Sequence, residues 1–312
     1  MVENVKIGKT NVMATPLGLG TNAVGGHNLF PNLNDEDGIQ IVKTALDHGV
    51  NFLDTAYAYG FGRSEELIGR AIQGYDRKKI VIATKAAQTP GHPDQLNNSP
   101  EFLKQAVEDA LKRLQTDYID IFYIHFPDGK TPLNEAVKAL EEKRQEGKIK
   151  AIGISNVSLD QVKEANKDGL VDIVENQYSL LHRDAEKELM PYLKANQISF
   201  VPFFPLASGL LTGKYSSSVS FESDDIRHSN PDFQGQRFVD IVKRVQQLQP
   251  MADKHQSTIA QIVLAWYIKN PDVSVVIPGA KKAKQVAANA DAQKVTLSKE
   301  EYGTINSLFK DL

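Results

Sequence analysis

Eight short Val- and Ile-rich apolar segments, spaced along almost the whole chain, constrain what it can fold into more than any other feature. They begin at Thr15 (TPLGLG), Val50 (VNFLDT), Ile80 (IVIATK), Tyr118 (YIDIFYIH), Ile149 (IKAIGIS), Leu170 (LVDIVEN), Ile198 (ISFVPF) and Val273 (VSVVIPG). Most are apolar on successive residues, as strands covered on both faces are, which implies a parallel sheet. Helical spacing fills the intervals, with start signals at Asn34-Asp35, Ser99-Pro100 and Thr131-Pro132. Strand followed by helix, repeated at intervals of about 20 to 40 residues, fits a (β/α)8 TIM barrel better than an open sheet. Residues 1–312 are then a single domain. The opening VKIGKTNVMA is predicted to form an N-terminal β-hairpin on the barrel floor. Before the last strand the interval is longer. It holds SSSVSFESDDIRHSNPDFQGQ, predicted as a long loop beside the site because Ser, Asp and Gly do not build a core. Extra helices are predicted from Phe238 to His255 and from Leu297 to Phe309, the second with Ser298 and Glu301 as its capping pair.

Composition removes several kinds of chemistry. With no Cys, disulfides, Cys-ligated zinc and thiol nucleophiles are excluded. Lys and Arg number 36 against 39 Asp and Glu, a net charge of −3, and are spread along the chain, so no basic stripe invites nucleic acid. No apolar run approaches the roughly 18 residues of a membrane helix. The N-terminal MVENVKIGKTNVMATPLG lacks the apolar centre of a signal peptide, so a cytoplasmic address without a membrane partner is expected. Oligomeric state is not readable.

In a barrel the reactive groups lie at the carboxyl ends of strands. Asp54 ends VNFLD, Tyr59 follows five residues later, Lys85 ends IVIATK and His125 ends the Tyr118 run. Each alone has an ordinary structural role open to it: a turn cap, a core ring, a rim cation, a satisfied barrel histidine. Brought together, they surround one cavity with a carboxylate, a phenol, an ammonium and an imidazole. Asp54 would keep Lys85 charged, and Lys85 would stabilise the Tyr59 phenolate and so strengthen the phenol as an acid. Such a phenol can protonate the alkoxide forming from a carbonyl, with His125 orienting or donating at the same oxygen. Given a hydride, the group reduces carbonyls.

The flanking sequence resembles the aldo-keto reductases nearly end to end. The matching stretches are LDTAYAYGFGRSEELIG from Leu53, TK at Thr84, DYIDIFYIHFPD at Asp117, GKIKAIGISN at Gly147, PLASGLLTGKY at Pro205 and IPGAKKAKQVAAN at Ile277. GTNAVGGHN looks closest to the bacterial branch associated with inositol-catabolism operons. The resemblance implies that Asp54, Tyr59, Lys85 and His125 are a catalytic tetrad with Tyr59 as acid, and that NADP(H) lies across the barrel mouth without a Rossmann domain. GLGTNAVGG lacks the spacing of a dinucleotide fingerprint and reads as a tight loop. The resemblance nevertheless places cofactor contacts at Gly20, Thr21 and Asn22. It assigns the nicotinamide carboxamide to Ser155 and Asn156, and the pyrophosphate strap to Leu206, Ser208, Leu210 and Lys214. Gly279, Lys281, Lys282, Gln285 and Asn289 fall around the adenosine 2′-phosphate position, where two cations favour NADP(H) over NAD(H). Three departures stand out. Phe203 replaces the Tyr that stacks under the nicotinamide, Gln285 replaces an Arg phosphate grip, and Glu175 replaces the Gln that binds the carboxamide. An ionised Glu175 would favour oxidised cofactor. A protonated Glu175 would mimic the amide, or Gln177 on the same strand face would take its place.

The expected substrate is a small aldehyde or ketone. Phe30, Phe61 and Phe126 would make the mouth apolar, whereas His27, Asn28 and Asn32 would suit sugars or polyols. Two other functions stay open on the sequence: an NADP(H)-binding sensor with slow turnover, and a barrel isomerase or aldolase using Lys85 as a Schiff base or His125 as a base.

Overall fold

Alternation along the strands determines which side chains reach the site. The structure, a computed structural model, describes residues 3–217, 219, 221 and 227–312. In chain order the strands are β1 (Val5–Lys6), β2 (Met13–Ala14), β3 (Leu19–Gly20), β4 (Phe52–Asp54), β5 (Val81–Ala86), β6 (Gln88–Thr89), β7 (His92–Leu96), β8 (Ile119–Ile124), β9 (Ile149–Ser155), β10 (Ile173–Gln177) and β11 (Ser199–Phe203). Seven of them form a parallel sheet in the order β3-β4-β5-β8-β9-β10-β11. The segment from Val273 to Gly279 runs between its two edges. Ser274 N donates to Phe200 O at 2.9 Å and Gly18 N to Val276 O at 2.8 Å, with parallel bridges at Leu17–Val276 and Gly20–Gly279. The expected eighth strand thus pairs through isolated bridges rather than a continuous ladder. Pro16 and Pro278 each remove a backbone donor along this seam. The architecture is a curled parallel sheet wrapped by helices, a TIM-barrel-like fold.

Side chains one position apart on a strand point to opposite faces. The outward set, including Leu53, Ile82, Phe122, Ile152, Val174 and Phe200, joins the large core shared with the helices. The inward set is a second core, containing Phe52, Val81, Ala83, Ile121, Tyr123, Ala151, Ile173, Val201, Val275 and Ile277. Ala14 of β2, with Ile7 and Val12 from the turn joining the antiparallel β1–β2 pair, belongs to the same core. Continuing each inward series by steps of two reaches Asp54, Lys85, His125, Ser155, Glu175, Phe203 and Gly279. The polar residues are therefore the top layer of the inner stack. Gly153 is inward too, and a Cβ there would meet the Tyr123 ring at 2.2 Å, so the missing side chain admits that ring.

Helix starts follow local chemistry. Asn34 accepts from Glu36 N and Asp37 N ahead of Asp35–Asp47, Ser99 caps Pro100–Leu114, and Ser298 with Glu301 forms a capping box before Lys299–Leu308. The single helix predicted over 238–255 is two, Gly235–Gln246 and Gln249–Lys254. Pro250, in the first turn of the second, has no N–H to continue the first. Of the predicted long loop, residues 218, 220 and 222–226 lie outside the described residues. Its flanks are not purely polar: Tyr215 and Phe233 are buried and pack edge to face at 5.9 Å. The half-buried β6 paired with the exposed β7, and a one-turn helix, Asn22–Gly25, after β3, are among the elements without a counterpart in the sequence pattern. Among the described residues no helix is long and apolar enough to cross a membrane, and no His, Cys, Asp and Glu cluster could hold a metal ion.

Candidate active site

The centre of the top layer is the Lys85 ammonium. It comes from β5, is fully buried, and contacts Asp54 Oδ1 from β4 directly. It also donates to Thr55 O at 3.1 Å and lies 3.3 Å from Glu175 Oε2 on β10. The rings of Tyr123 and Tyr59 flank it, with centroids 5.4 Å and 5.7 Å from Nζ. Tyr59 in turn meets the His125 ring edge-on at 6.2 Å, and Phe126 stacks on His125 at 4.2 Å. The four residues expected to converge do so.

Burial and charge set their protonation. Burial opposes charge on Lys85, but Asp54, Glu175 and Tyr59 outweigh it and hold the ammonium above the usual lysine value. A lysine held above its usual value and paired with a carboxylate is a poor Schiff-base nucleophile, which weakens the aldolase reading. Burial, then Lys85, pushes His125 well below the usual imidazole value, so the ring is neutral. Its Nδ1 is buried without a hydrogen-bond partner. From its lysine neighbour alone, Tyr59 is expected to be a stronger acid than a free phenol. Instead, burial pushes it up, and the opposing pull of Lys85 is smaller. Burial raises Asp54 too, against Lys85, whereas Glu175 is raised well above the carboxylate range by burial and then by Asp54. At neutral pH the site thus supports a protonated Glu175 over an ionised one. Gln177, two residues on, is exposed at the end of the same strand.

Neighbouring residues, most of them unnoticed in the sequence, hold the Tyr59 loop. Asn28 Oδ1 accepts from Gly60 N at 2.7 Å and its Nδ2 donates to Ala58 O at 3.1 Å. His27 bonds Asp35 at 2.9 Å. These two, expected as sugar contacts, are engaged within the protein. Buried Glu65 accepts from Thr84 Oγ1 and from Arg113 Nε, each at 2.6 Å, and the Arg113 guanidinium covers the Tyr57 ring at 5.1 Å. Short-range hydrophobic patterning gives no sign of such polar ties across loops. Thr21, expected at the cofactor, is fully buried with its hydroxyl on Asp54 O at 2.7 Å, fixing the end of β4.

The remaining expected contacts ring the mouth. Ser155 is buried at the end of β9, and Asn156 Nδ2 donates to Ser155 Oγ at 3.0 Å and to His125 O at 3.1 Å. Phe203 ends β11, edge-on to Phe204 at 5.4 Å. Leu206 O accepts from Gly209 N at 2.8 Å in a turn where Ala207, Ser208 and Gly209 are all left-handed, while Leu210 is buried beneath it. A Cβ on Gly209 would lie 2.7 Å from Lys214 Nζ, so glycine lets that ammonium rest against the turn. This cradle suits an anion. Gly20 bridges to Gly279, where a Cβ would meet Asn22 Oδ1 at 3.3 Å. Lys282 pairs with Asp37 at 2.8 Å, and Lys281 lies over the Phe30 ring at 4.4 Å. Gln285 Oε1 accepts from Lys281 N and Lys282 N at 2.9 and 3.1 Å, so it caps the helix Ala283–Ala290 that carries half-buried Asn289.

Comparison with known proteins gives the same assignment. The family model described as "Aldo/keto reductase family" matches residues 16–310. The chain belongs to the aldo/keto reductase family. Membership makes it an oxidoreductase, and the family's cofactor is NADP(H). Aldo-keto reductase YhdN of Bacillus subtilis (strain 168) is 34% identical over 313 residues, 99% of this chain and 94% of that protein. A glycerol dehydrogenase from Gluconobacter oxydans superposes with a TM-score of 0.90 at 30% identity, covering 98% of this chain and 95% of that one. An aldo/keto reductase from Klebsiella pneumoniae, solved in complex with NADP and acetate, has a TM-score of 0.77 at 28% identity, covering 99% and 96%.

Proposed function

We propose that this aldo/keto reductase reduces a small aldehyde or ketone with NADPH, and that Tyr59 is the general acid. One observation carries the reading: a buried Lys85 paired with Asp54, with the Tyr59 ring beside its ammonium and edge-on to His125. When bound, NADPH supplies the hydride. The chain's own residues do the rest. Tyr59 gives its proton to the developing alkoxide, Lys85 stabilises the phenolate left behind, and neutral His125 orients the oxygen. The Gly209–Lys214 cradle and the backbone around Ser208 fit a pyrophosphate, Ser155 and Asn156 fit a carboxamide, and Lys281 and Lys282 fit a 2′-phosphate. The Val273–Gly279 bridges support a closed eight-fold barrel as the frame.

With His27 and Asn28 engaged elsewhere, exposed Asn32 is the polar residue left of the three, beside the aromatic side chains. Phe61 is 47% exposed and Phe126 lies on His125. This favours an apolar carbonyl substituent. The likeness of GTNAVGGHN to the inositol-operon branch favours a polyol-derived carbonyl instead. NADPH consumption over a panel of aliphatic aldehydes, aromatic aldehydes, ketones and polyol-derived carbonyls separates the two. Absence of turnover on every member would reject the reading.

A further inference from the structure

Three ionisable side chains, two of them members of the tetrad, share one buried pocket. Lys85 contacts Asp54 directly and Glu175 at 3.3 Å, and the three side chains are 0%, 2% and 4% exposed. One cation faces two carboxyls, so ionising both would bury a net negative charge. Asp54 Oδ2 is buried without a hydrogen-bond partner, and Glu175 Oε2 has nothing nearer than the Lys85 ammonium at 3.3 Å. Both carboxyls face the one Lys85 ammonium, and two like charges crowded on a single buried cation disfavour each other, so a proton on one relieves the pair.

We propose that the Asp54–Glu175 pair holds one proton, resident on Glu175, and that Glu175 is a positioning residue whose ionisation sets the acidity of Tyr59 and the balance between oxidised and reduced cofactor. Lys85 fixes the assignment within the pair. Its direct hydrogen bond goes to Asp54, which keeps the charge, while Glu175 stands off. The groups facing Glu175 are Asp54 from β4, Lys85 from β5 and Tyr123 from β8, with Tyr59 and His125 beyond them. The neighbouring strands β9 and β11 present Ser155 and Val201 in register, neither of them charged. Burial and then Asp54 hold the Glu175 carboxyl high, in keeping with this arrangement. A neutral Glu175 leaves the pocket balanced. Once ionised, it adds a negative charge that raises Tyr59 further, and it favours a nicotinamide ring that is cationic only when oxidised. The effects on Tyr59 acidity and on cofactor rest on the proposed function; the proton does not.

The proton is measurable without cofactor or substrate. The unfolded chain releases it near the ordinary Glu pKa of about 4.3, so wild-type stability falls as pH rises until folded Glu175 itself ionises. Against Glu175→Gln, the wild-type unfolding constant in urea should grow about tenfold per pH unit above about pH 5. A ratio flat in pH would overturn the proposal. If Glu175→Gln does not refold, infrared spectroscopy of wild type and Asp54→Asn replaces it. Wild type at neutral pH should show a protonated-carboxyl band that Asp54→Asn loses, because Glu175 then becomes the sole counter-charge to Lys85. An unchanged band would overturn the shared proton. A failed carbonyl assay leaves both results standing. The third arm is the ratio of NADP+ to NADPH dissociation constants. It should shift toward NADP+ by about tenfold across the ionisation in wild type and stay flat in Glu175→Gln. A flat wild-type ratio would overturn the cofactor role.

Discussion

Lys85→Met turns the buried charge balance into a stability measurement. In wild type the ammonium lets Asp54 stay ionised. Met cannot, and the fully buried Asp54 beside Glu175 must then take up a proton in the fold. Its folded pKa is thereby raised above the unfolded value of about 3.9, so the lost stability is small below that value and grows as pH rises. Keeping that proton costs about 1.4 kcal/mol per pH unit, hence about 1.5 kcal/mol at about pH 5 and about 4 kcal/mol at about pH 7. Exchanging a buried ammonium for a thioether adds an offset that does not vary with pH. Urea unfolding of both proteins at the two pH values reads the difference. The variant's penalty should be larger at about pH 7 by about 3 kcal/mol. An equal penalty at both would show that Asp54 keeps its charge without Lys85, and would refute the reasoning.

Two further outcomes test the edges of the site. Asn28→Ala removes both hydrogen bonds to the Tyr59 loop, each of about 1 kcal/mol. It should lower kcat/KM by about tenfold and the melting temperature by about 3 °C; an unchanged kcat/KM would show that the loop holds itself. Asp37→Asn frees Lys282, and should tighten NADPH binding by about two- to fivefold without affecting NADH. Titration of both cofactors at low salt checks it, and equal gains would mean that Lys282 does not meet the 2′-phosphate.

That Asp54, Lys85 and His125 come together was legible in the sequence because they obey strand parity. Asp54 continues the inward series of Phe52, Lys85 that of Val81 and Ala83, and His125 that of Ile121 and Tyr123. Apolar runs placed seven strands because each is buried on both faces. The eighth, interrupted by Pro278 and facing Pro16 on its neighbour, has the same apolar run and only bridges to show for it. What escaped were features without an apolar signature: the β6–β7 pair, the break before Pro250 and the Asn28 clasp. Electrostatics escaped for another reason. Adjacent Lys85 argues for an acidic Tyr59, but only the folded pocket shows burial outweighing it, and only there does Glu175 come to face Asp54.

The central claim is that Tyr59 donates the proton in an NADPH-dependent carbonyl reduction. Its most direct test is NADPH oxidation by wild type and Tyr59→Phe with the best substrate of the carbonyl panel, together with NADPH titration of both proteins. Phe keeps the ring and removes the acid, so kcat should fall by about a hundredfold or more while the NADPH dissociation constant stays within about threefold. A variant that keeps more than about a tenth of wild-type turnover would contradict the account, because general-acid catalysis contributes about a hundredfold or more.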